Sequence, residues 1–325
     1  MLSRHLLTLI ALTLLALASI AHALSVGSLA VSGSEIWAAL TSHSGPQAEI
    51  ILELRLPRAL AAFAVGGLLA LAGTLMQVLL RNPLADPYVL GVSGGAGVGA
   101  MAAILLGLSG LGIDGLAFVG ALSALLLVFG LARGDGSWTQ TRLLLTGVIV
   151  AAGCGAVIAL MLSVAPETKL RGMLFWLMGD LGQASNPAPA LIALSIASLL
   201  VWPFARELNL LSRGDDTAQA LGVRVTALRR LVYFLAALAT AAAVTQAGSI
   251  GFVGLVVPHL LRLWVGNDQR ILLPTATIAG GFLLVLADTL ARTVIAPQQL
   301  PVGVLTALLG VPMFLFLLSH AGERR

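Results

Sequence analysis

Apolar runs of about twenty residues recur from one end of this 325-residue chain to the other. Each is long enough to cross the roughly 30 Å hydrocarbon core of a bilayer as a helix. Ten are placed, at about 5–24, 58–80, 91–108, 113–132, 142–164, 188–205, 228–247, 250–265, 274–294 and 302–319. Polar breaks fall where such helices would stop: Arg81-Asn82-Pro83 with Asp86-Pro87, Arg133-Gly134-Asp135-Gly136, and Gly266-Asn267-Asp268. The pattern predicts an all-α membrane protein forming a single transmembrane domain over residues 1–325, without a convincing repeat or low-complexity linker. Two hydrophilic pieces interrupt it. One, Glu167–Pro187, contains Phe175-Trp176-Leu177-Met178-Gly179 and predicts a short interfacial segment. The other, at about 206–230, is the longest polar stretch on its side of the membrane.

Composition agrees. The chain is 58% hydrophobic and 10% charged, whereas a soluble domain carries roughly 25% charge. The surplus of apolar surface needs lipid to face. A net charge of +4 comes from few ionisable groups, so it does not point to nucleic acid. The single cysteine, Cys154, excludes an intrachain disulfide and a cysteine metal cage. The single lysine, Lys169, follows Thr168, so no Gly-Lys-Ser/Thr phosphate loop is present.

Basic residues orient the spans. With the N-terminus inside, thirteen fall on the cytoplasmic side: Arg4, Arg81, Arg133, Arg142, Arg206, Arg213, Arg224, Arg229, Arg230, Arg262, Arg270, Arg324 and Arg325. Five fall outside: Arg55, Arg58, Lys169, Arg171 and Arg292. This follows the positive-inside bias and puts both termini in the cytoplasm. Arg4, the run 6–20 and Ala21-His22-Ala23 also resemble a cleavable secretory signal. A retained first helix is expected, and cleavage would leave nine spans.

Residues 91–99, GVSGGAGVG, admit several chemistries. Ser93 could be the nucleophile of a hydrolase elbow or of an intramembrane protease, with His259 also near the inner helix ends. An elbow and a dinucleotide turn both need a preceding strand. Such a protease also carries H-x-x-x-N, which none of the five histidines begins. Small residues at this spacing let helices approach closely in lipid, so Ser93–Gly99 is expected to be packing. Pro258-His259 could supply a metal or haem ligand, but no second ligand lies near it in the sequence. Asp288 and Arg292, four apart, can pair on one helix. That pair either anchors a helix end or has a part in transport.

Ion-coupled transporters hold acids or histidines deep in the membrane. Here Asp114 and Asp180 fall in outer loops and Asp288 near a helix end, so an ion-coupled secondary transporter is poorly supported. Energy is expected from a separate ATPase docking on the 206–230 piece. There Gly214 opens a turn, Asp215 and Asp216 suit a helix start, and Gly222 closes it. Arg55, Arg58 and Arg292 lie outside, against the insertion bias. They either snorkel at helix ends or form a basic patch for acidic residues of an external protein.

Several stretches resemble the FecCD-type permeases, membrane subunits of type II ABC importers for ferric siderophores, haem and cobalamin. They are Arg55-Leu56-Pro57-Arg58, Arg81-Asn82-Pro83-Leu84-Ala85-Asp86-Pro87, Leu90-Gly91-Val92-Ser93, the run 251–259 (GFVGLVVPH), the run 286–292 (LADTLAR), and Leu300-Pro301-Val302-Gly303. The resemblance covers nearly the whole chain. It implies ten helices with both termini cytoplasmic, in a bacterial cytoplasmic (inner) membrane. It implies a homodimer, or a dimer with a related permease, over a cytoplasmic ABC ATPase dimer, with ATP and Mg on that partner and no cofactor or metal in this chain. Gly214, Asp215, Asp216, Thr217, Ala218, Leu221 and Gly222 match coupling helices, with Ala218 and Leu221 facing the ATPase. Arg55, Arg58 and Arg292 match arginines that receive glutamates of a substrate-binding protein. The fifth and tenth spans would line the pathway, where Thr146, Cys154, Ser163 and Thr306 are the polar candidates. Among cargoes the resemblance puts ferric siderophore first, then cobalamin or haem.

Overall fold

A computed structural model describes residues 2–27, 29–132 and 140–321. The expected break at Arg133-Gly134-Asp135-Gly136 and the terminal Arg324 and Arg325 lie outside the described residues. Among the described residues the chain is helical, without strands. The helices in order are α1 (Leu2–Ser25), α2 (Gly33–Ser42), α3 (Leu56–Leu79), α4 (Val92–Leu105), α5 (Leu111–Leu131), α6 (Gln140–Val164) and α7 (Glu167–Met178). Then come α8 (Ala188–Val201), α9 (Ala205–Leu211), α10 (Asp215–Ala220), α11 (Val225–Ala247), α12 (Val253–Val265), α13 (Gln269–Thr293) and α14 (Val302–Ala321). A π-helical turn, Ile50–Arg55, runs straight into α3.

Among the described residues, seven stretches are long and apolar enough to cross a membrane: Arg4–Ser25, Ile50–Leu79, Leu111–Leu131, Thr141–Val164, Ala188–Leu211, Val225–Ala247 and Gln269–Thr293. Two other apolar helices, Val92–Leu105 and Val253–Val265, are shorter, and α14 is apolar over Val302–Phe316. The sequence pattern predicts full spans over 91–108 and 250–265, but α4 and α12 have 14 and 13 residues. At 1.5 Å per residue such helices reach only about 20 Å. The shortfall is local. Gly91 adopts φ 73 at the head of α4, and Phe252 adopts φ 70 at the head of α12.

These short helices begin inside the bundle. Gly254, at the start of α12, packs on Gly73, so close that a Cβ on Gly73 would collide with the Gly254 carbonyl. Gly73 lies about 25 Å along α3 from its Leu56 end at the usual helical rise. Non-helical backbone at that depth must be enclosed by protein or line a cavity. Here the broken ends satisfy one another. The Tyr88 hydroxyl accepts from the Ile250 N–H at 2.9 Å and donates to the Ile250 carbonyl at 2.8 Å. The Asp180 N–H donates to the Ala247 carbonyl at 2.9 Å, and Gly303 N–H to Gly179 at 3.2 Å. The Glu167–Pro187 piece, expected at the interface, therefore sends the C-terminal end of α7 into this junction, with Met173 fully buried.

The core is built on α3, whose alanines and glycines let α8, α11, α12 and α13 close around it. Its best window is 89% buried, that of α6 only 6%. The bare apolar side of α6 needs lipid or another chain against it. The apolar pattern does not predict α2, although its capping signal is present in the sequence. Ser32 and Glu35 form a reciprocal capping box.

Candidate functional site

Two groups of polar side chains sit at opposite ends of the bundle. At one end, α10 is bounded as its glycines predict. Gly214 at φ 122 opens it and Gly222 at φ 85 closes it. The Gly222 N–H donates to Gln219 O at 2.9 Å and the Val223 N–H to Ala218 O at 3.0 Å, which satisfies carbonyls at the helix end. Asp215 does not face outward. Its carboxylate accepts from Arg229 at 2.6 and 2.7 Å and lies 3.8 Å from Arg81. Ala218, expected to face a partner ATPase, is 0% exposed and packs against its own chain. With 3.6 residues per turn, one side of so short a helix must turn inward, and Ala218 is on it. Asp216, Thr217, Gln219 and Ala220 are exposed, and Leu221 is 62% exposed.

At the other end the structure gathers Arg55, Arg58 and Arg292 at one cavity, with Arg58 and Arg292 on Asp288. Arg58 donates through Nε to both Asp288 oxygens, at 3.1 and 3.0 Å, and through Nη2 to Oδ1 at 2.8 Å. Its Nη1 donates to Gln299 Oε1 at 2.7 Å. Arg292 lies 3.3 Å from Asp288 as the i,i+4 pair, and donates to the Ala23 carbonyl at 3.4 Å. Arg55 donates to the carbonyls of Leu24 at 2.7 Å and Leu29 at 2.6 Å. Arg55 and Arg58 are 5% and 8% exposed, so these two do not snorkel at helix ends. All three line one side of a ≈300 Å³ cavity, shared with Gln183, Ser185 and Gln299. Gln299 and the α1 carbonyls went unmarked in the sequence, because their roles depend on contacts across the chain.

The polar candidates of the pathway do not form one wall. Cys154 is half-buried and presses on α4, where a Cβ on Gly94 would lie 2.9 Å from the Cys154 Cβ. Ser163, nine residues later, lies half a revolution away around α6. It is exposed and donates to Leu160 O at 2.8 Å. Thr146 is half-buried, and Thr306 is buried with its hydroxyl on Gly303 O at 3.0 Å. The glycines of residues 91–99 pack as expected. A Cβ on Gly95 would meet Gly120 O, and one on Gly99 would meet Leu116 O, both on α5.

Ser93 is bonded to Ser249 at 2.8 Å rather than to a base. It sits at the interior junction, beside Ile250 and Tyr88, because α4 starts within the bundle. His259 packs edge-on to Phe314 at 6.4 Å, and its Nδ1 has no hydrogen-bond partner. Among the described residues no group of three His, Cys, Asp or Glu could hold a metal.

A helical bundle whose long apolar sides are bare has the build of a membrane protein. A profile of the FecCD transport family matches residues 12–320, and the chain belongs to that family. It is 42% identical over 330 residues to the hemin transport system permease protein HmuU of Yersinia pestis, covering 98% of this chain and 95% of that one. It is 42% identical over 306 residues to the cobalamin import system permease protein BtuC of Halobacterium salinarum, covering 90% and 82%. A solved metal-chelate type ABC transporter in an inward-facing conformation superposes with a TM-score of 0.86 at 34% identity, covering 96% and 98%. The chain is a multi-pass inner-membrane permease, a transport subunit and not an enzyme.

Proposed function

We propose that two copies of this permease, or one copy with a related permease, carry a large metal chelate into the cytoplasm. The energy comes from ATP and Mg on a separate cytoplasmic ATPase dimer. The observation that supports this most is α10: a glycine-bounded helix clamped from behind by Arg229 and presenting Leu221 to solvent. A helix held rigidly at its back and apolar at its tip suits transmission of movement from a partner. In this reading α10 lies in the cytoplasm, the arginine cluster lies outside, and the chain crosses ten times with both termini inside, α4 and α12 each completing a crossing with the non-helical backbone that leads into it. The cluster receives acidic side chains of an exported binding protein through the guanidinium N–H groups that Asp288 and the carbonyls leave free.

For cargo, the family resemblance puts ferric siderophore first. The relatives named above handle hemin and cobalamin, and we move metal tetrapyrroles ahead of siderophores on that ground. The uneven polarity of α6 and α14 supports a weakly binding wall, with specificity left to the external protein.

The test is recovery of the tagged permease from its native membrane under gentle detergent, with mass identification of what stays bound. Recovery of a P-loop ATPase and an exported binding protein is expected. Titrating that binding protein with hemin, cyanocobalamin and a ferric hydroxamate then ranks the cargo. A permease that comes out alone and still transports in liposomes without ATP would overturn the assignment.

A further inference from the structure

The α10 end carries a second polar feature. A cavity of ≈280 Å³ opens between the end of α3, the stretch before α10 and the α12–α13 turn. Exposed Arg81, Ser212 and Asn267 stand around its mouth, and Arg262 reaches it from α12. Gln77 and Gln269, 2% and 1% exposed, line its base. Two arginines line it and no acidic residue does. Arg81 has only the long 3.8 Å approach to Asp215, a carboxylate already held by Arg229. Arg262 has no ion pair or side-chain hydrogen bond among the described residues. Its charge is unmet.

Arg81 also occupies an unusual backbone position. It follows the last turn of α3 with φ 47, the left-handed conformation that helix ends usually give to glycine or asparagine. A long side chain there strains the backbone, and what it brings is a guanidinium at the mouth of this cavity. Beneath, Oε1 of Gln77 and of Gln269 are buried without hydrogen-bond partners, an arrangement that is costly unless something arrives to satisfy it.

We propose that this basic pocket receives an acidic side chain from the cytoplasmic ATPase subunit, as a second grip beside α10. The inference rests on the reading of α10 as the ATPase contact. The two features are continuous: Arg81 Nη1 lies 3.7 Å from where a Cβ on Gly214 would stand. A planar guanidinium fits a carboxylate with paired hydrogen bonds. The mouth of the pocket is made by polar connections rather than by the apolar sides of spans, which favours a partner on the water side over a lipid. A protein loop also brings backbone N–H groups, or traps water, for the unmet amide oxygens.

The experiment measures ATPase binding to the full-length permease in nanodiscs of defined phospholipid, for the wild type, Arg262→Gln, Arg262→Lys and Leu221→Asp. Arg262→Gln is expected to weaken ATPase binding at least fivefold and to flatten its salt dependence, with Arg262→Lys between it and the wild type. Unchanged affinity and salt dependence in Arg262→Gln overturns the proposal. So does loss of a co-purifying phospholipid, seen by native mass spectrometry, with ATPase affinity intact. If Arg262→Gln does not fold, Arg262→Lys decides, because it keeps the charge but not the fork. Leu221→Asp tests the α10 reading separately: if it binds and couples normally, that reading fails whatever Arg262 does.

Discussion

Asp288 shows how much one residue can organise. It is 1% exposed and holds two arginines that would otherwise be buried unpaired. Removing one partner of a buried ion pair typically costs about 3–5 kcal/mol, whereas replacing the pair by apolar groups can be nearly neutral. Asp288→Asn is therefore expected to lower the thermal midpoint in detergent sharply and to weaken binding-protein affinity. The triple variant Arg58→Met/Asp288→Leu/Arg292→Met, which removes both arginines with their carboxylate, should recover much of the stability but not the affinity. A thermal midpoint of Asp288→Asn equal to wild type would show that the charge does not hold this site together. The Asp288–Arg292 spacing was legible in the sequence, since four residues make one helical step. The Arg58–Asp288 contact, across 230 residues, was not.

Among the elements, α10 and α4 are the most informative. The limits of α10 were legible because glycines at its ends take φ values that other residues resist. Its orientation was not, because a six-residue helix carries too little pattern to say which side is covered. Leu221→Asp is expected to leave the permease folded but to cut ATP-driven uptake tenfold or more while ATP hydrolysis continues. Ala218→Arg, forced into a site with no free space, should instead reduce the amount of folded permease in the membrane. For α4, Gly99→Val should destabilise the α4–α5 crossing by about 1–3 kcal/mol or more, since the side chain would enter the Leu116 carbonyl. A thermal midpoint equal to wild type would refute that contact.

At the scale of the whole molecule, the proposed pairing of two permeases would place a second chain against the bare side of α6. In a Cys154→Ser background, Leu160→Cys is expected to cross-link into a dimer under mild oxidation, because Leu160 is 64% exposed on α6. A lipid-facing α6 would give monomers only.

Length and polarity of a segment are local properties, so an all-helical membrane chain could be recognised from its residues alone. Motif order was enough to indicate the family, and glycine spacing was enough to place tight helix contacts. Depth and direction belong to the assembled chain. α4 and α12 look like full spans until Tyr88 meets Ile250 and Gly73 meets Gly254 inside the bundle. The three arginines look like a surface patch until Asp288 and the end of α1 draw them in. A sequence displays which groups are costly to bury, but only the folded chain shows which distant partner offsets the cost of burying each one.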